Sequence, residues 1–481
     1  MRADRRRDAV LAFGVALLAR LAVVAWAHGR FPAVEDGHYY DTLARRLAAG
    51  QGYTWLWPDG AVTYAAHYPV GYPALLAVAY AIAGASVGAA MTVQAVLGAL
   101  AAYGAHRIVD GVGVPRWRPL AAGLAVALHP ALVPYTAAVM TEGVTAACLV
   151  VAAATAARAR SADPGRATWA WLLGLGVAMG VATLVRPQSL LLAPVLGALA
   201  VPWDAGSRTR LGRAAAVTLV ALACVAPWTA RNCARMNRCA LVSVNGGWNL
   251  LIGAQTRTGA WEEMAVPPEC LTVWDEAGKD ACFERAARRD IAAAPLAWVA
   301  RTPGKLAATL DYFGAAPWYL HASNAEAFDD GAKVRLAVIE TVACRLLLLG
   351  ALLAVARFPG PRRLARGLVA VAGAVAAVTA HGWLGYLAVV AACALLGRRA
   401  LLQAPMAVPA TAAAILLTAL VHAAFFGAGR YGLVVAPFVA ALAFVALGAG
   451  APQKVPTAPS EPRPTTGVTV SGEEPVVAGE T

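Results

Sequence analysis

The sequence predicts an all-α polytopic membrane protein with about 12 to 13 transmembrane helices, and three observations predict it. Of its 481 residues, 59% belong to the AVILMFWYC set and 14% are Asp, Glu, Lys or Arg, against about 45–50% and about 25% in soluble domains. The apolar residues gather into runs of about 20, the length that crosses about 30 Å of hydrocarbon. The net charge of +13 is spread over short turns between those runs. With no basic face interleaved with aromatics, it reads as a topology signal facing anionic lipid and excludes nucleic acid as the partner.

The first run, 9–28, follows Arg5–Arg7. The opening also has the outline of a secretory signal, down to an A-x-A-like Ala25–Ala27, but its apolar core exceeds the ~7–15 residues usual there, so it is read as a span. Further runs cover 71–84, 88–109, 118–133, 136–157, 168–184, 189–202, 212–228, 333–356, 366–381, 383–397, 404–426 and 431–449. Basic turns at Arg5–Arg7, Arg116/Arg118, Arg158–Arg166, Arg208–Arg213, Arg357–Arg366 and Arg398/Arg399 belong in the cytoplasm by the positive-inside rule. The N-terminus is then cytoplasmic, and 29–70 and 229–332 lie outside. An outside 29–70 and an inside Arg116 leave room for one crossing, so 71–84, which begins at Pro69, Tyr72 and Pro73, is read as a juxtamembrane or re-entrant element.

Four parts follow: an N-terminal transmembrane catalytic module, 1–228; an outside loop module, 229–332; C-terminal transmembrane helices, 333–450; and a disordered tail, 451–481, rich in Pro, Thr, Val and Glu without apolar periodicity. The loop module holds 12 of the chain's 27 acids. Helical spacing from Asp280 to Tyr312, broken near Pro295 and Pro303, predicts two or three surface helices over the membrane. Cys148, Cys224, Cys344 and Cys393 lie in apolar runs and are packing residues. Cys233 with Cys239, and Cys270 with Cys282, fall in the outside loop, where an oxidising compartment allows two local disulfides; no CxxC spacing or adjacent His supports zinc instead. Gly174, Gly176 and Gly180 lie inside an apolar run, so they read as a close-packing helix surface and not a nucleotide loop.

Acids outside the loop module, the tail and the basic turns are few: Glu35, Asp36, Asp41 and Asp59 in 29–70, Glu142 at a membrane boundary, and Glu340. A carboxylate near hydrocarbon is costly, about 2.5–3.5 kcal/mol at a helix centre, which makes such residues functional candidates. The plain alternatives are that Asp36 caps the helix around His38–Leu47 and that Glu142 favours a helix N-terminus.

Glu35–Asp36, followed by Tyr39/Tyr40, Leu43–Ala44 and Gly50-Gln51-Gly52-Tyr53, resembles the acidic motif and juxtamembrane helix in the first outer loop of GT-C glycosyltransferases, the group of the protein O-mannosyltransferases and the lipid A aminoarabinose transferase. His67-Tyr68-Pro69-Val70-Gly71-Tyr72-Pro73 resembles their H-P-P-L-Y-P element. Further matches are Thr141-Glu142, Arg186-Pro187, Pro227-Trp228-Thr229-Ala230-Arg231-Asn232, Asn245-Gly246-Gly247-Trp248-Asn249-Leu250 with Gly253, and Arg430-Tyr431. The resemblance runs in order over 10–445. It implies a GT-C-like bundle with a periplasmic α-rich loop module and an integral membrane glycosyltransferase. The enzyme takes a hexose or pentose from a polyprenyl-phosphate donor to an acceptor hydroxyl on protein, lipid A or cell-wall glycan, at the outer face of the cytoplasmic membrane. An Ala/Arg/Gly-rich composition points to a bacterial decaprenyl or undecaprenyl carrier. The family pair is usually Asp-Glu or Asp-Asp; here it is Glu35-Asp36, so either carboxylate is open for the catalytic role.

Residue chemistry agrees. A phosphate leaving group is stable as an anion and needs no general acid, whereas the acceptor hydroxyl needs a base in line with sugar C1. Asp36 is assigned as base, Glu35 as its helper or as a group that orients the acceptor, and direct displacement inverts the anomeric centre. Fixed cations must meet the leaving phosphate, preferably guanidinium groups. Arg186, Arg231 and Arg430 each fall at the outer end of an apolar run, with Lys305 and Tyr431 as further donors; the alternative for each is an interfacial snorkelling or packing residue. Glu142, His67, Tyr39 and Asn249 are placed at the acceptor or behind the site, His67 having plain loop packing as its alternative. No cofactor is required; a divalent metal is left open, held by Asp36 and Glu142 where one binds. A secondary transporter or lipid-linked-sugar flippase is the alternative function, with Glu35, Asp36 and Glu142 lining its path. Paired repeats and midplane charges would mark it, and the acids here cluster on one rim instead.

Overall fold

In the computed structural model, described over residues 2–446 apart from 112, 312 and 313, the chain is a helical membrane protein. The tail assigned to 451–481 lies outside the described residues. The N-terminal half runs α1 (Arg2–Ala27), α2 (Asp36–Ala48), a hairpin of β1 (Thr54–Leu56) and β2 (Val62–Tyr64), α3 (Gly71–Ala83), α4 (Val87–Val109), α5 (Trp117–Ala127), α6 (Glu142–Ser161), α7 (Arg166–Val185), α8 (Leu192–Leu199) and α9 (Ser207–Arg235). The polar interval follows with α10 (Gly246–Gln255), α11 (Pro268–Leu271), α12 (Glu276–Ala293), α13 (Pro295–Ala300), α14 (Thr302–Leu310) and α15 (Ala315–Ser323). The chain then returns through α16 (Asp330–Arg357), α17 (Arg363–Ala377), α18 (Trp383–Leu395), α19 (Gly397–Gln403), α20 (Ala407–Ala424) and α21 (Ala436–Ala443).

Seven of these helices are single, apolar and at least 18 residues long among the described residues, and the α18–α19 pair, bent by 103°, makes an eighth. The remaining apolar runs are shorter or broken, because their prolines remove backbone donors. His129-Pro130 ends the run after α5, Pro187 opens a 3-10 turn (Pro187–Leu191) before α8, and the last run begins as a 3-10 turn (Gly429–Val434) before α21. The 13-residue α3 spans about 20 Å at 1.5 Å per residue, short of a crossing by itself, as its proline-rich entry predicts.

The spans pack through small residues. A Cβ on Gly176 or Gly180 of α7 would lie 2.5 Å from Val220 or Cys224 of α9, the close packing expected of that glycine run. Arg20, fully buried on α1, donates to the carbonyls of Ala16, Val126 and Ala127, so it caps the end of α5 instead of pairing with an acid. In the polar interval the helices break at Ala294 and Arg301, next to the two prolines that predict it. Two disulfides close there, Cys233–Cys239 and Cys270–Cys282, with Cα atoms 4.1 and 5.8 Å apart.

Candidate active site

The site begins at the turn into α2. Glu35 is the residue before the helix and has φ 51°, the left-handed region that costs a non-glycine residue about 1–2 kcal/mol. That turn makes Asp36 the first helical residue. Its carboxylate does not cap the helix. Oδ2 accepts from Arg430 Nη2 at 2.7 Å, and Oδ1 accepts from the Tyr68 hydroxyl at 3.2 Å. Burial pushes the Tyr68 phenol well above its ordinary value, so it remains a donor. Glu35 is exposed and its side chain makes no capping bond.

Arg430 comes from the 3-10 turn ahead of α21, nearly four hundred residues away in the chain. Its Nε lies 3.4 Å from Oε1 of Glu142, the first residue of α6. The same oxygen accepts from Arg186 Nη2 at 2.6 Å, Arg186 Nε donates to Thr141 Oγ1 at 3.1 Å, and the other Glu142 oxygen accepts from the Tyr135 hydroxyl at 2.8 Å. Glu142 is 1% exposed. A charge buried so fully is tolerated only with such partners. Tyr431 completes the group, its ring lying under both guanidiniums at 4.8 and 5.3 Å. A chain of alternating charge therefore runs Asp36, Arg430, Glu142, Arg186.

Below Arg186 and Tyr431 a groove enters between α6, α8 and α20. Leu149, Leu192, Leu417 and Val421 wall it, each one or two turns from the polar rim. Gln188, His422 and Ser189 line it too, the Ser189 hydroxyl buried without a hydrogen-bond partner among the described residues.

Two candidate phosphate ligands lie elsewhere. Arg231 donates to the carbonyls of Ala65 and Tyr53, both at 2.8 Å, and lies over the Trp228 ring at 4.7 Å; its donors hold the 53–65 hairpin. Lys305 is 0% exposed, its ammonium 3.3 Å from the carbonyls of Ala423 and Ala424 at the end of α20, which removes it from any ligand. Burial pushes that ammonium down to about 8. His67 packs edge-on against Tyr68 (4.9 Å) and Trp248 (5.5 Å), and burial pushes its imidazole down to about 4. Tyr39 stacks on Tyr68 at 5.1 Å and Trp55 at 5.2 Å, with 39% of its surface open beside Asp36. Asn249 sits on α10 next to Trp248.

Asp36 and Glu142 are bridged by a guanidinium. Arg430 Nη2 donates to Asp36 and its Nε lies 3.4 Å from Glu142, so the guanidinium occupies the space between the two carboxylates considered for a divalent cation. Tyr68, Tyr135 and Glu276 are contributors that residue-type reasoning passes over. Glu276, on α12, accepts from the amides of Ala66 and His67 at 2.6 and 2.8 Å. Tyr135 carried a signal, seven residues before Glu142; Glu276, one of the loop module's 12 acids, carried none.

Residues 67–230, a third of the chain, match the family model for dolichyl-phosphate-mannose-protein mannosyltransferase. This bears out the sequence resemblance to GT-C membrane glycosyltransferases. The backbone is similar to that of the archaeal oligosaccharyltransferase AglB from Archaeoglobus fulgidus in complex with an inhibitory peptide and a dolichol-phosphate. That match has 15% identity and a TM-score of 0.47 over 92% of this chain and 50% of that one, so this chain spans about half its length. It is similar also to ArnT from Cupriavidus metallidurans bound to undecaprenyl phosphate, with 16% identity and a TM-score of 0.39 over 91% of this chain and 77% of that one. No curated protein matches the sequence.

Proposed function

We propose that the chain, a GT-C membrane glycosyltransferase, moves a sugar from a polyprenyl-phosphate donor to an acceptor hydroxyl, with Asp36 as base and with inversion at the anomeric carbon. The observation that carries this reading is the charge chain in which a half-exposed carboxylate and a buried one share Arg430. A carboxylate offers about four acceptor positions and Asp36 uses two, one for Arg430 and one for Tyr68, which leaves room for an acceptor hydroxyl.

The acceptor oxygen attacks C1 of the sugar as its proton passes to Asp36, and the bond from C1 to the phosphate oxygen breaks. The electron pair leaves with the polyprenyl phosphate. Arg186 and Arg430, held side by side by Glu142, with the Tyr431 hydroxyl, receive the developing charge. Glu142 is thus an anchor for two cations, buried too deeply to touch an acceptor. The apolar groove below Arg186 suits the lipid chain of the carrier. Undecaprenyl phosphate is bound by ArnT and dolichol phosphate by the archaeal AglB, and both are carriers of this class. The active site is assigned to the outer face of the cytoplasmic membrane, opposite the basic turns, with the N-terminus inside. No step is routed through a metal.

The test is release of free polyprenyl phosphate from radiolabelled decaprenyl- and undecaprenyl-phosphate hexoses and pentoses, with purified protein and crude bacterial envelope as acceptor. Asp36→Asn is expected to slow release by about 10²–10⁴-fold without lowering the melting temperature. Wild-type protein inert towards every donor overturns the reading.

A further inference from the structure

We infer that Glu276 and Arg231 form a positioning pair that aligns the catalytic carboxylate through the peptide segment 65–68, and this rests on the transferase reading above. Residues 65–70 belong to no helix or strand, so no ladder fixes their shape. Side chains fix it instead. The Ala65 amide donates to the Tyr53 carbonyl at 3.1 Å and its carbonyl accepts from Arg231 at 2.8 Å. The Ala66 and His67 amides donate to one oxygen of Glu276, and the Ala66 carbonyl accepts from the Val244 amide at 2.9 Å. The Tyr68 carbonyl accepts from the Tyr53 hydroxyl at 2.7 Å. A cation therefore grips the segment at a carbonyl, and an anion grips it at the next two amides. The residue that follows them, Tyr68, places its hydroxyl on Asp36.

The grip comes from the polar interval. Glu276 opens α12, and one turn on, Asp280 accepts from the amides of Gly247 and Trp248 at 2.7 and 3.1 Å, seating α10 and with it the Trp248 ring against His67. The Cys270–Cys282 disulfide ties α12 to the short helix before it. Burial pushes the Glu276 and Asp280 carboxyls upward, and the amide donors to each oppose that push. A carboxylate accepting two consecutive amides is a charge-assisted contact, roughly twice as strong as a neutral one. One helix outside the charge chain thus holds both sides of the loop that orients the base. Glu276 touches no reacting atom; it acts through Tyr68.

Two readouts on the full-length protein in detergent test this. The first is residue-resolved amide hydrogen exchange over 65–68. Glu276→Ala is expected to speed exchange at Ala66 and His67 by at least about tenfold, the effect of losing a contact worth about 1.4 kcal/mol. Glu276→Gln, which still presents a carbonyl oxygen, is expected to retain part of the protection. The second is polyprenyl-phosphate release by the same variants and by Arg231→Met. The expected pattern is a fall in kcat with the donor KM unchanged, and partial recovery in Glu276→Gln. Gly373→Ala, whose Cβ would lie 2.5 Å from Ala388 where α17 packs on α18, serves as the destabilised control and is expected to leave kcat and KM as they are. Unchanged exchange at 66–67 in Glu276→Ala, or a rise in donor KM at constant kcat, overturns the inference. Wild-type protein that releases nothing from any donor defeats the transferase reading and the catalytic half of this one, while the exchange measurement decides the clamp independently.

Discussion

Arginines at the two ends of the bundle do different work. Among the basic turns several satisfy backbone, while Arg5 and Arg116 pair with Asp110 and Asp8 away from the groove. Arg366, fully buried, donates to the carbonyls of Val355, Phe358, Gly360 and Pro361; Arg210 donates to those of Ala198, Pro202 and Trp203; and Arg160 donates to those of Leu199 and Ala404. These are the orphan carbonyls that every helix end leaves, and a cation there also meets the negative end of the helix dipole. At the acidic rim Arg186 and Arg430 meet carboxylates instead, on buried Glu142 and on Asp36. A guanidinium whose donors are spent on carbonyls holds a fold together. One held by a carboxylate beside a groove has donors to turn towards an incoming anion. Arg231, at the same rim but spent on carbonyls, belongs with the first kind.

The sharpest break of that comparison is a paired Arg→Lys exchange. Arg430→Lys keeps a cation for one carboxylate but cannot span Asp36 and Glu142 together, and Arg186→Lys loses the fork on Thr141 and Glu142. Each is expected to cut polyprenyl-phosphate release by about 10²–10³-fold, with the melting temperature nearly unchanged. Arg366→Lys is expected to do the reverse. It strands buried carbonyls, costs about 3 kcal/mol of stability, and leaves turnover intact. Equal losses of rate in all three would erase the distinction.

Much of the rim was legible in the sequence. Isolated acids in an apolar chain are costly enough to be noticed, and Asp36, Glu142, Arg186, Arg430 and Tyr431, singled out separately, converge. What failed was the use of position alone. Arg231 lies at a span end as Arg186 does, and nothing local distinguishes a guanidinium that faces a carbonyl from one that faces an acid. Glu35 and Asp36 are adjacent acids, of which Glu35 is exposed with φ 51° and Asp36 pairs with Arg430. Apolar runs were read as spans by composition, yet prolines divide several into helices too short to cross singly. The proline breaks in the polar interval were legible because a missing amide is a local property.

Gly98→Ala sharpens the structural side of the comparison with a smaller effect. A Cβ there would lie 2.2 Å from Arg20 Nε, and that guanidinium is fixed by three carbonyls, so it cannot swing aside. Overpacking of this kind costs about 1–3 kcal/mol. Thermal melting in detergent should fall accordingly with turnover unchanged; an unaltered melt would mean that Arg20 is free to move.

His67 gives the smallest effect, and one with a definite sign. Its folded-state value of about 4 lies below the ordinary value of about 6.5, because burial against Tyr68 and Trp248 disfavours the imidazolium more than Asp36 favours it. The unfolded chain therefore binds a proton between pH 6.5 and 4 that the folded chain refuses. Stability falls as pH drops through that window and is unaffected above it. His67→Gln removes the proton uptake, so its melting temperature should decline less than that of the wild type from pH 6.5 to pH 4, the two curves running parallel above. Parallel curves throughout would place the imidazole in water. The same shift keeps His67 neutral at pH 7. A neutral imidazole adds no charge beside Asp36.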